Sequence, residues 1–141
     1  MTAMSITGGC LCGAVRFTIE ADAPLGVRQC WCRVCQAIGA GTATVNAIFR
    51  REDVTIAGEP ADFASTADSG TAMHRRFCPS CGIHLFSESE TRPNLVIIRV
   101  GTFDDPEDAA PQSTIWTASA PSWAHLPDDL PATPGQPPPV G

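Results

Sequence analysis

Hydrophobic and polar side chains alternate over Val15-Arg16-Phe17-Thr18-Ile19-Glu20, the period-two pattern of a strand with one buried face. With Ser5-Ile6-Thr7 before it, this stretch predicts two strands around a glycine-rich knuckle, Gly8-Gly9-Cys10-Leu11-Cys12-Gly13. Further short strands are expected at 27–31, 42–49, 54–56 and, less regularly, 62–65. Residues 32–37 read as one helical turn. His74 to Cys78 and Ile83 to Ser87 form the arms of a hairpin whose tip carries Cys78 and Cys81. Residues 94–101, rich in Val and Ile, give the clearest buried strand, and 114–116 a last short one. Almost no segment has the 3.6-residue period of a helix, so the expected fold is mainly β.

From Leu126 onward proline dominates, ending in Pro137-Pro138-Pro139. Residues 131–141 are therefore expected as an extended or disordered tail outside a domain spanning 5–130. At 141 residues the chain suits one domain with a working hydrophobic core. It has no apolar run of about 18 residues and no basic-then-apolar leader. A cytosolic protein without membrane contact is the expectation. The formal charge of −6 argues against nucleic acid as a partner, since phosphate neutralisation by basic side chains carries most such affinity. The doublets Arg50-Arg51 and Arg75-Arg76 read as solvated arginines flanking strands.

Seven cysteines change the picture. An odd number cannot all pair, and a reducing cytosol disfavours disulfides. Cys10-x-Cys12 and Cys78-x-x-Cys81 each close a tight loop, and four thiolates so spaced suit tetrahedral zinc. That shell leaves no open position, so its expected role is structural. Iron–sulfur ligation, disulfides and inert buried thiols are the competing readings. Cys30-x-Cys32-x-x-Cys35 offers three thiolates, leaving a corner for water or a substrate thiol, as in catalytic zinc sites. Alternatively these cysteines are only partly used, or one of His74, His84 and His125 completes a second structural site. Trp31, Trp116 and Trp123 are candidates for pocket walls and equally for core packing.

These motifs resemble the glutathione-dependent formaldehyde-activating enzyme family, also called the centromere protein V domain family. The resemblance rests on Gly9-Cys10-Leu11-Cys12-Gly13-Ala14-Val15-Arg16-Phe17, Cys30-Trp31-Cys32-Arg33-Val34-Cys35, and Arg76-Phe77-Cys78-Pro79-Ser80-Cys81-Gly82-Ile83-His84-Leu85-Phe86. Ile115-Trp116, Trp123 and Asp128-Asp129-Leu130-Pro131 complete it. It implies a β-tent of antiparallel sheets, with a structural zinc on Cys10, Cys12, Cys78 and Cys81. It also implies a more labile active-site zinc on Cys30, Cys32 and Cys35. The implied activity is a carbon–sulfur lyase reaction joining formaldehyde and glutathione as S-hydroxymethylglutathione. Trp31 departs from the family's usual Cys-His-Cys. The leading expectation is thus an enzyme with two zinc ions acting on a small thiol or thiol adduct, glutathione being the thiol that the resemblance implies. The alternative is a non-enzymatic zinc module for protein contacts.

Overall fold

The structure is a computed structural model that describes residues 4–140. The chain runs through β1 (Met4–Gly9), β2 (Arg16–Ala21), β3 (Gly26–Cys30) and a short helix, α1 (Arg33–Ile38). It continues through β4 (Thr44–Arg50), β5 (Val54–Ala57), β6 (Ala61–Thr66), β7 (Ala72–Phe77), β8 (His84–Ser89) and β9 (Arg92–Arg99). Two short strands, β10 (Ser113–Ile115) and β11 (Ala132–Thr133), close it. The mainly β expectation holds, and each predicted strand is present within about two residues at its ends, the usual uncertainty of such boundaries.

Two sheets face each other. The smaller has the order β1-β2-β5 and the larger β11-β10-β3-β4-β9-β8-β7-β6. Most pairings are antiparallel, but β10 runs parallel to both β3 and β11, so the larger sheet is mixed. Between the sheets lies one hydrophobic core. Ile6, Phe17, Ile19 and Val54 from the smaller sheet meet Val27, Ala47, Phe49, Val96 and Ile98 from the larger. Each large aliphatic or aromatic side chain so buried stabilises the fold by about 1.5–3 kcal/mol relative to exposure. Gly8 lets the segment after β9 come close to β1, where it bridges to Phe103. A Cβ there would lie 2.3 Å from the Thr102 carbonyl oxygen and 2.4 Å from Phe17 Cζ.

Strand alternation gives the larger sheet a second face. Val27, Ala47, Val96 and Ile98 point to the core, so Arg28, Asn46, Ile48, Ile97 and Arg99 point the other way. The proline-rich segment crosses this second face. Its extended chain supplies β11, and its carbonyls accept hydrogen bonds from Thr114 N (Pro131 O, 2.9 Å), Trp116 N (Gly135 O, 3.3 Å) and Ala118 N (Pro134 O, 3.2 Å). Proline lacks an N–H but keeps its carbonyl, so such a segment can decorate a sheet edge as an acceptor.

Candidate metal centres and the adjoining cavity

Two of the tight turns are built alike. In each, a glycine in the left-handed region follows the second cysteine: Gly13 at φ 79° after Cys12, and Gly82 at φ 78° after Cys81. That conformation carries no Cβ penalty for glycine. The backbone closes beneath by Cys10 N to Val15 O (3.1 Å) and Cys78 N to Ile83 O (2.9 Å). Amides then point at sulfur. Val15 N reaches Cys10 Sγ at 3.4 Å, and Ser80 N and Cys81 N both reach Cys78 Sγ at 3.4 Å.

The four sulfurs of Cys10, Cys12, Cys78 and Cys81 lie within 4.8 Å of one another. Cys10 to Cys12 is 3.7 Å and Cys12 to Cys78 is 3.6 Å. A zinc–sulfur bond of about 2.3 Å gives a tetrahedral edge of about 3.8 Å, close to these separations. Disulfide bonding would need about 2.05 Å, and all seven cysteines are free. Without a cation the sulfurs titrate unequally. The Ile83 and Cys12 amides draw Cys81 down to about 6. Cys12 is pulled down by the Ala14 amide but pushed up further by Cys78 and its other neighbours, to about 11. Four sulfurs this close could hold a metal ion, and the donor set fits zinc.

Cys30, Cys32 and Cys35 form the second cluster, their sulfurs also within 4.8 Å of one another. Cys30 ends β3, and Cys32 caps α1 by accepting from Cys35 N at 3.3 Å. The helix is held in place by Gln36, whose Nε2 donates to Trp31 O (2.8 Å) and Ser119 O (3.0 Å). Hydrogen bonds from Cys30 and Cys32, followed by the positive charge of Arg99, hold Cys35 down at about 2. The same sulfur contacts push Cys30 upward. Asn46 Nδ2 lies 3.9 Å from Cys35 Sγ.

No histidine joins this cluster among the described residues. His74, on β7, sits between Asp62 (2.9 Å) of the edge strand β6 and Glu90 (3.3 Å). His84 stacks on Phe77, its pKa lowered to about 4 by burial and then by Arg99 and Arg75. His125 is exposed. The tryptophans divide differently. Trp31 is buried outside the cavity lining, and Trp123, 68% exposed, lies outside both that lining and the core. Trp116 does line the cavity, in the left-handed region at φ 58°, a conformation costing about 1–2 kcal/mol outside glycine. Its Nε1 donates to Gln136 Oε1 at 2.9 Å.

The three cysteines form part of the wall of a cavity of about 460 Å³, within the usual size of small-molecule sites. The proline-rich segment lines another part through Gln136, Pro137, Pro139 and Val140. Four arginines also line it, Arg28, Arg75, Arg92 and Arg99, against a single acidic side chain, Asp68. Asp68 accepts from Arg33 N at 3.0 Å, at the start of α1. Arg75 corrects the expectation of a solvated arginine, because it is only 6% exposed.

A polar row crosses six adjacent strands on this face. Arg28 pairs with Asn46, and Asn46 with Arg99. Arg99 donates from Nη1 to Asn46 Oδ1 (2.7 Å) and from Nη2 to Ser87 Oγ (2.5 Å). Ser87 pairs with Arg75, which donates to Ser65 Oγ. Sequence reasoning missed these residues. Their signal was a polar side chain at an otherwise apolar strand position, most visible at Asn46 and Arg99.

Fold and site together define a mainly β protein with a four-cysteine knuckle pair and a three-cysteine cluster on an arginine-lined cavity. The chain belongs to the glutathione-dependent formaldehyde-activating enzyme family, whose sequence profile matches residues 5–119. A Halomonas elongata protein provisionally named as a glutathione-dependent formaldehyde-activating enzyme is 24% identical over 128 residues, covering 87% of this chain and 82% of that protein. A crystal structure of a Rhodobacter sphaeroides protein shares the fold at a TM-score of 0.55 and 24% identity, covering 74% of this chain and 97% of that one. All seven cysteines fall inside the family match, whereas Trp123 and the 128–131 segment lie beyond it.

Proposed function

We propose that the chain is a carbon–sulfur lyase-type enzyme that adds a thiol, glutathione by the family's description, to formaldehyde at Cys30, Cys32 and Cys35. The observation that supports this most is the contrast between the two clusters. Four sulfurs gather at the knuckles, enough for a tetrahedral shell, whereas only three gather in the wall of the cavity. On this reading Cys10, Cys12, Cys78 and Cys81 hold a structural zinc, and Cys30, Cys32 and Cys35 hold a second. Zinc in a three-thiolate site supplies an open coordination position at which a thiol loses its proton more readily.

The reaction forms one S–C bond and moves the carbonyl π pair onto oxygen, which takes a proton; the thiol gives one up. The chain's own residues prepare this. Asn46 faces Cys35 Sγ and is fixed by Arg99, which in turn is tied to Ser87. Such outer partners orient ligating groups. Trp116 and Ile115 supply apolar wall, and the proline-rich segment narrows access by water.

The test is adduct formation from formaldehyde and glutathione, followed by NMR exchange with zinc-loaded protein. Acceleration over the uncatalysed rate, lost in Cys32→Ser, is the expected result. A protein with both sites loaded and no acceleration would shift the assignment to a zinc module for protein contacts. One observation favours that second reading: buried Trp31 leaves no imidazole in the middle of the Cys30–Cys35 motif.

A further inference from the structure

We propose that Arg75 and Arg99, flanking Ser87, form a seat for a carboxylate of the thiol received at the three-cysteine cluster, so that the site selects acidic thiols over neutral ones. This rests on the functional reading above and adds to it the residues that choose the substrate. Both arginines are more than nine-tenths buried, at 6% and 8% exposure. Neither has a carboxylate within ion-pair distance among the described residues. The Nε of each is buried without a hydrogen-bond partner, yet both side chains line the cavity.

A buried guanidinium without a counter-charge is unfavourable. Their hydrogen-bond partners, Asn46, Ser87 and Ser65, are neutral acceptors, and the cysteine cluster that faces Arg99 offsets part of the charge of that one side chain. A carboxylate entering the cavity would supply the missing charge, and the planar fork of arginine suits it. The cavity's charge balance agrees, since four arginines face one aspartate. Three thiolates around one divalent cation carry a single net negative charge, which still leaves the balance positive. The seat is also linked to the cysteines, because Arg99 reaches Asn46 and Asn46 reaches Cys35 Sγ.

The experiment is calorimetric titration of the zinc-loaded full chain with S-methylglutathione, which keeps the carboxylates and has no free thiol. Its diethyl ester, with the carboxylates masked, and 2-mercaptoethanol, an uncharged thiol, serve as comparisons. S-methylglutathione should bind the unaltered protein about ten- to a hundredfold more tightly than the ester, the range expected of a charge-assisted hydrogen bond. Arg75→Gln should lose a similar factor for S-methylglutathione, leave 2-mercaptoethanol binding unchanged, and be partly rescued by Arg75→Lys. Equal binding of acid and ester by the unaltered protein would overturn the seat whether or not the variants fold. So would a folded Arg75→Gln that binds S-methylglutathione normally. Acid-selective binding without formaldehyde chemistry would leave the seat standing and remove the proposed enzyme. Turnover with no preference for the acid would do the reverse.

Discussion

Asp104 shows how single side chains tie the smaller sheet to the turns of the larger. Its carboxylate takes Arg16 Nη1 (3.0 Å), Arg16 Nη2 (2.5 Å) and Thr7 Oγ1 (2.7 Å). Arg16 and then Thr7 hold its pKa down at about 2, below the ordinary 3.8. A folded-state value below the unfolded one means the contribution is present above the ordinary carboxylate range and lost as pH falls toward the folded value. Asp104→Asn should therefore be less stable than the unaltered chain near neutral pH. Urea melts should show that deficit shrinking between about pH 4 and pH 2. Asn46 has a different role, since it is the buried acceptor for Arg99 Nη1. Asn46→Leu should cost about 1–3 kcal/mol in the same melts, because a buried donor loses its partner. At this scale the cysteines were legible and the arginines were not. Metal-ligand spacing is local and survives in the sequence. The inward direction of Arg75 depends on which face of β7 is covered, and that is fixed only by cross-strand register and by the segment lying over it.

The knuckles and the cavity draw on partly different elements, with β7 and β8 contributing to both. β1, β2, β7 and β8 present Cys10, Cys12, Cys78 and Cys81, joining segments 66 residues apart between Cys12 and Cys78. Cys78→Ser should unfold the chain or leave it with no cooperative transition by circular dichroism, because a structural zinc site contributes folding free energy directly. Cys32→Ser alters only the β3–α1 corner and should keep the native spectrum while losing turnover. Alternation made most strands readable, as in Phe17 and Ile19 against Arg16 and Thr18. The parallel pairing of β10 was not readable, since it follows from a long return and not from local pattern. Proline content pointed to a terminal segment without regular elements, but could not show that its carbonyls dock on Arg28, Arg92, Trp116 and Ala118.

In the molecule as a whole, the larger sheet separates two environments. One face shares a hydrophobic core with the smaller sheet, and the other carries the polar row, the three-cysteine cluster and the covering segment. This arrangement sets the four-cysteine cluster apart from the cavity and puts the three-cysteine cluster in its wall. No helix among the described residues is long and apolar enough to cross a membrane. The central claim is that the two metal centres differ in kind, one closed and one open to thiols. It is tested most directly by elemental analysis of zinc per chain, on protein purified without chelator and again after dialysis against glutathione. Two zincs falling to one, with Cys32→Ser holding one throughout, is the predicted result. One zinc per unaltered chain in both conditions would contradict it.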